Sequence, residues 1–259
     1  VLSNVLTFAF FTLIGLEIRQ GLNKPKELVF PALCAAFGML VPAIIFISLN
    51  PGSNAWAIVM PTDVALAIGA LSILGNRINP SIRLFLLTLA VADDFFSLIV
   101  IAIFFEKDLH LSSALYTFGA AFIGALLPRR DQLIKYLSPI ITFVVIPIYI
   151  WINLLDHINF GQAGSKVSLV LITSRVLGKS IGILLAAWLL NKYSSFKLPR
   201  NLNLKEIFGV GLLAGMGMTV ALVISKITLS SSQEIDQARI GLLLSAVISG
   251  SLGVFWLRI

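Results

Sequence analysis

Apolar residues in this chain run in long blocks, and the polar residues fall in short gaps between them. About nine blocks can be drawn, at residues 1–16, 28–49, 55–75, 82–105, 111–127, 138–155, 167–190, 206–225 and 240–257, each approaching the ~20 residues that a helix needs to cross a bilayer core. The period-2 alternation of a membrane barrel is absent from them. Backbone groups in lipid must find their hydrogen bonds within the segment, so the blocks predict helices. The fold class expected is therefore all-α and integral to a membrane. The gaps carry turn formers: Asn50-Pro51-Gly52-Ser53, Asn79-Pro80, Pro128-Arg129-Arg130 and Leu198-Pro199-Arg200-Asn201.

Three blocks depart from a plain apolar helix. The block 55–75 holds Pro61-Thr62-Asp63, and 82–105 holds Asp93-Asp94 at its middle. The block 206–225 holds Gly209, Gly211, Gly215 and Gly217 ahead of Thr219. Prolines and clustered glycines predict broken helices, tolerated at membrane depth where the freed backbone lines a cavity. The two broken blocks are each the middle member of a triplet. Residues 28–105 form the first three-helix unit and 167–259 the second, with 106–166 as connecting helices and 1–27 as the remnant of an N-terminal helix. The units start from opposite sides of the membrane, the pattern of an inverted-repeat transporter with its site near the midplane.

Composition sharpens this reading. Hydrophobic residues make up 58% of the 259 and charged residues only 12%, against about 25% charged in soluble domains; mean hydropathy is +0.98. The net charge of +7 suggests nucleic acid, but the basic residues sit at block ends rather than in one patch, so no nucleic-acid partner is expected. With crossings alternating, thirteen of the nineteen Lys and Arg fall on one side and four on the other, leaving Arg175 and Lys179 inside a block. The basic side is read as cytoplasmic, which puts the C-terminus inside. The single cysteine, Cys34, cannot form an internal disulfide. The chain enters an apolar run at Val1 with no charged region ahead of it, which reads as a chain lacking upstream residues rather than as a signal peptide.

Ionisable residues within a membrane are costly and usually functional. Asp93 and Asp94 point ~100° apart on a helix and can border one cavity. Sodium, a hard cation, takes oxygen ligands and competes with protons for such carboxylates, which suffices for exchange if the site opens to one side at a time. The bland alternative is a structural pair neutralised by a basic residue. Asp63 is expected to offset the positive start of a half-helix, or to serve only as an N-cap; Thr62 can offer oxygen to an ion. Lys179 is expected to pair with Asp93 or Asp94, or to offset exposed carbonyls at a half-helix end. Arg175, one turn earlier, is expected to snorkel to the outer surface. His110 and His157 read as solvated loop residues, and Glu17 with Arg19 as a solvated helix end.

Taken in order, several stretches resemble the NhaA family of sodium/proton antiporters. They are Phe10-Phe11-Thr12-Leu13-Ile14-Gly15-Leu16-Glu17, Trp56 through Asp63-Val64-Ala65-Leu66-Ala67-Ile68-Gly69, Leu74-Gly75-Asn76-Arg77, Leu89-Ala90-Val91-Ala92-Asp93-Asp94, Gly178-Lys179-Ser180-Ile181-Gly182, and Gly211 through Gly215-Met216-Gly217-Met218-Thr219. The resemblance implies crossed, discontinuous helices at 55–75 and 206–225. It implies Na+ or Li+ and protons at Asp94 and Asp93, with Lys179 partnering Asp93 and compensating helix ends. Asp63 would compensate the opposite ends, with Thr62 and Thr219 auxiliary. It implies an inner-membrane antiporter serving pH homeostasis, with no cofactor beyond the transported ions. A homodimer is also implied, though the family's dimer hairpin falls upstream of Val1. The family fold has twelve helices, and its sixth and seventh have no counterpart between 82–105 and 111–127. Asn4 stands where the family usually has Asp, and Asp131-Gln132-Leu133-Ile134-Lys135-Tyr136 replaces its pH-sensing stretch.

Two other readings compete. One is a non-transporting homologue with a structural or regulatory membrane role, suggested by the missing helices and opposed by retention of Asp63, Asp93, Asp94 and Lys179. The other is an intramembrane aspartyl protease, which needs two facing carboxylates; adjacent Asp93 and Asp94 diverge, and an enzyme is not expected.

Overall fold

The computed structural model describes residues 2–21, 25–75, 78–104, 119–127, 130–154, 160–194, 196, 198–199 and 201–259. Its described residues hold helices and no strand, as the blocks predict. In chain order the α-helices are α1 Leu2–Gly21, α2 Pro25–Leu49, α3 Val64–Ser72, α4 Pro80–Phe104, α5 Ala120–Leu126, α6 Arg130–Ile140, α7 Ile146–Leu154, α8 Lys166–Thr173, α9 Lys179–Tyr193, α10 Leu204–Ala214, α11 Thr219–Thr228 and α12 Ser232–Arg258. A π-helical turn, Ser174–Gly178, joins α8 to α9, so residues Lys166–Tyr193 act as one long span.

Four spans among the described residues are long and apolar enough to cross a membrane: Leu28–Leu49, Pro80–Phe104, Lys166–Tyr193 and Ser232–Arg258. Helices α10 and α11 form a fifth, bent by 52° at a short break. Large apolar side chains point outward along these and neighbouring helices, among them Ile44, Leu84, Ile103, Phe122 and Val247, a surface suited to lipid rather than water. The first part of the apolar block at 111–127, residues 111–118, lies outside the described residues, as do His110 and His157 and the side chain of Glu17.

The helix starts follow local chemistry. Asn203 and Glu206 form a reciprocal capping box at α10, with both bonds at 2.8 Å. Ser165 caps α8, accepting from the Ser168 amide at 3.3 Å, and Asn79 accepts from the Ser81 amide at 3.0 Å where Pro80 opens α4. Such caps satisfy amides that have no carbonyl inside the helix. Small residues let backbones approach closely where two helices meet in lipid. Gly15 of α1 lies against the Ala121 carbonyl, and Gly124 of α5 against the Thr12 carbonyl. Gly178 and Gly182, one turn apart, lie against Pro42 and the Phe37 carbonyl of α2.

A Cβ built at Gly178 would stand 2.7 Å from the Pro42 Cα. Gly178→Ala must therefore push α2 outward, at a cost of about 1–3 kcal/mol, the usual penalty for overpacking. A lowered thermal midpoint of the detergent-purified chain, followed by fluorescence-detected size exclusion, checks this; an unchanged midpoint would show that α2 gives way freely.

The buried core falls into two main apolar clusters that meet near the middle of α4. One gathers Ile58, Val59 and Met60 with Val220, Leu222 and Ile224 and with Leu98 and Ile101 of α4. The other gathers Ala67 and Leu71 with Ile207, Val210 and Leu213 and with Phe85, Leu86 and Leu89 of α4. Each broken helix thus gives one half to each cluster. Between the clusters lies a buried polar layer: Thr62, Asp63, Asp93, Asp94, Arg175, Lys179 and Thr219 are all 3% exposed or less.

Candidate functional site: the crossing of two broken helices

The block 55–75 is broken as its Pro61-Thr62-Asp63 signal predicts. A 3-10 helix, Asn54–Val59, ends before an extended stretch at residues 61–63, and α3 begins at Val64. The second break lies at residues 215–218, between α10 and α11. The glycine-rich run does not act there as a whole. Gly209 and Gly211 sit inside α10, where Gly211 lies 2.9 Å from the Ser180 Cα, measured from the position its Cβ would take. These two glycines provide close approach rather than a break; only Gly215 and Gly217 belong to the break itself. The two breaks touch where the helices cross, the Asp63 amide donating to the Met216 carbonyl at 2.8 Å.

Together the two breaks expose two half-helix starts and two half-helix ends, carrying partial positive and negative charge respectively. Asp63 serves both starts. It is the N-cap of its own α3, where Oδ1 accepts from the Leu66 amide at 3.4 Å. Its Oδ2 accepts from the Thr219 hydroxyl at 2.8 Å and from the Thr219 amide at 3.3 Å. Helix α11 has no side-chain cap of its own, because Met218 occupies that place. The start of the second broken helix is thus capped by the first. Thr219 meets Asp63 in this way and, in its described bonds, not Asp93.

Arg175 serves the ends, which corrects the expectation that it snorkels. It is fully buried, at 0% exposure. Its Nη1 donates to the Ile58 carbonyl at 2.7 Å, Nη2 to the Pro61 carbonyl at 2.8 Å and Nε to the Gly215 carbonyl at 3.2 Å. One planar guanidinium, with its fork of donors, therefore ties carbonyls from both broken helices. Gly217 makes room for it, since a Cβ there would collide with Nη2 and with the Pro61 carbonyl. A signal existed in the sequence: Arg175 and Lys179 are four residues apart, so both lie on one face of one helix.

Lys179 donates to Asp93 Oδ2 at 2.5 Å and to the Thr62 hydroxyl at 2.6 Å. Its described bonds include no carbonyl at a helix end, so the pairing expected with Asp93 is present while the helix-end role falls to Arg175. Thr62 Oγ1 stands 2.5 Å from Asp93 Oδ2 and 3.0 Å from the Ala214 carbonyl, two acceptors for its one proton. Asp94 follows Asp93 on α4, is 3% exposed, and lies within electrostatic reach of Lys179. Asp93 Oδ1 and the hydroxyl of Ser97, one turn along α4, are buried without a hydrogen-bond partner among the described residues. A buried oxygen left in that condition is unfavourable unless something else satisfies it.

The structure therefore brings the expected residues together as two polar groups, Thr62 with Asp93 and Lys179, and Asp63 with Thr219. Arg175 and the crossed backbones hold the groups side by side.

Sequence comparison gives this geometry its family. Residues 1–132 and 128–257 match the sequence profile of Na+/H+ antiporter 1. The Na+/H+ antiporter NhaA 2 of Aliarcobacter butzleri is 30% identical, over 97% of this chain and 80% of its own length. The Na+/H+ antiporter NhaA of Psychrobacter cryohalolentis is 27% identical, over 96% of this chain and 78% of its own. That of Salmonella arizonae is 26% identical, over 99% and 82%. The aligned span of 311 residues in the Psychrobacter comparison exceeds the 259 of this chain, so it includes residues of the relative with no counterpart here. With the profile matched over nearly its whole length and its helices broken and crossed at a buried pair of carboxylates, this multi-pass membrane chain belongs to the Na+/H+ antiporter 1 family.

Proposed function

We propose that this chain exchanges Na+, or Li+, for protons across the cytoplasmic membrane by alternating access, with the cation and protons competing for Asp93 and Asp94. The observation that carries this reading is the meeting of Asp93, Thr62 and Lys179 at the crossing, with Asp93 Oδ1 and Ser97 Oγ without a hydrogen-bond partner among the described residues. A hard cation needs several oxygen ligands, and these oxygens are of the right kind. A proton is the competing occupant of the same carboxylates. Asp63 and Arg175 hold the half-helix ends while the site changes sides. The two triplets, residues 28–105 and 167–259, are the inverted units that move relative to each other, with the C-terminus in the cytoplasm.

Competition has a definite sign. Each proton bound displaces a cation, so the sodium concentration for half-maximal exchange should rise as pH falls, by up to about tenfold per unit when one proton competes with one ion. The measurement is sodium-induced dequenching of a pH-sensitive dye in everted membrane vesicles, repeated between pH 6.5 and 9. A half-maximal concentration that does not move with pH would sink the competition. No sodium-dependent signal from correctly inserted chain would make it a non-transporting homologue.

A further inference from the structure

Both broken helices end in carbonyls aimed at one side chain, and that side chain is not the lysine of the site. We propose that Arg175 is the positioning residue of the crossing. It fixes the Pro61 and Gly215 carbonyls to the unbroken span Lys166–Tyr193, and so sets where Thr62 meets Asp93 and Lys179.

The geometry gives the guanidinium leverage. Pro61 immediately precedes Thr62, whose hydroxyl contacts Asp93, Lys179 and the Ala214 carbonyl. Gly215 immediately follows Ala214. Arg175 therefore holds the backbone on both sides of the Thr62 hydroxyl, at 2.8 Å and 3.2 Å. Its third bond, to Ile58 at 2.7 Å, holds the last turn of the first half-helix. The π-helical turn Ser174–Gly178 carries Arg175, and such turns are frequent at functional sites. The roles of Arg175 and Lys179 are thereby separated: Arg175 touches backbone carbonyls of both broken helices, and Lys179 touches side chains of the ion site.

A lysine cannot replace this arginine fully, because a point charge with rotatable donors does not reproduce the planar fork. The pocket can also be challenged from the other side. Gly217→Ala leaves Arg175 in the chain but puts a methyl group into the space of Nη2.

The inference rests on the exchange reading above and is tested beside it. In everted vesicles, the sodium concentration for half-maximal dequenching is compared among the parent chain, Arg175→Gln, Arg175→Lys, Gly217→Ala and, as a control for charge, the exposed Arg83→Gln. Signals are normalised to the amount of inserted protein. Arg175→Gln is expected to raise the half-maximal concentration at least tenfold, Arg175→Lys and Gly217→Ala severalfold, and Arg83→Gln not at all. A purely structural arginine would lower the amount of inserted protein and leave the half-maximal concentration at the parental value, and that result overturns the proposal. If Arg175→Gln does not insert, the other two variants decide by the same criterion. Failure of all three to insert would assign Arg175 to the fold alone. A silent parent chain is a failure of the exchange reading instead. The comparison then passes to the sodium concentration that half-stabilises the purified chains against heat.

Discussion

Asp94→Asn should abolish sodium-driven proton movement while leaving the protein in the membrane. Asparagine matches aspartate in shape, so the packing around this buried position of α4 is preserved. What is lost is a full negative charge at the place where the cation is proposed to sit. Two unit charges about 4 Å apart interact by about 4 kcal/mol at an effective dielectric constant near 20, equivalent to roughly a thousandfold in affinity. The amide oxygen recovers only part of that, and the amide group no longer takes up a proton near neutral pH. Asp93→Asn differs in kind. It removes the partner of Lys179, whose ammonium is buried at 0% exposure. Removing one member of a buried ion pair is destabilising by about 3–5 kcal/mol. Loss of dequenching in both variants is therefore expected, with a lowered thermal midpoint only in Asp93→Asn. Full activity in a well-inserted Asp94→Asn chain would remove the paired carboxylates from the mechanism.

Asp63→Ala should strongly destabilise the fold. Its carboxylate is 2% exposed and accepts from the Leu66 amide, the Thr219 amide and the Thr219 hydroxyl. Truncation leaves those donors and two half-helix starts facing each other with nothing between them. A buried donor stripped of its acceptor costs about 1–3 kcal/mol, and a lost N-cap about 1 kcal/mol. The expected result is about 3–5 kcal/mol of destabilisation on those grounds, seen as little or no folded protein by fluorescence-detected size exclusion. Asp63→Asn keeps an acceptor oxygen and should fold better than the alanine variant. Equal behaviour of the two would show that charge, not the hydrogen bonds, holds the helix starts. A parental midpoint in Asp63→Ala would show that the crossing stands without it.

Much of this was legible in the residues. The helix-rich fold follows from block length alone, and Asp93-Asp94 stand out because the other ionisable residue of the block 82–105, Arg83, stands at its very start. Pro61-Thr62-Asp63 located the first break. The second break was harder, because four glycines precede Thr219 and sequence does not say which of them relax the backbone and which admit a neighbour. Gly211 admits Ser180; Gly217 admits Arg175. Arg175 itself was misread for a related reason. Counting along the span placed it nearer an outer end, and a long side chain there can reach water. Whether it does depends on where the broken helices cross, which depends on contacts more than 100 residues distant in the chain, at separations of 114 and 117. Local pattern carries no such information.

The cap that Asp63 provides to α11 also bears on synthesis. The acceptor and its donor at Thr219 are 156 residues apart. When the first broken helix enters the membrane, neither Arg175 nor Thr219 has yet been made. Its loose carbonyls and its carboxylate must wait in the insertion machinery, or in water, until the rest of the chain follows. At that stage the nascent protein holds one half of a lock whose other half is still being translated. A chain truncated after residue 200 should therefore be cleared by membrane proteases even though its own apolar spans up to that point are complete.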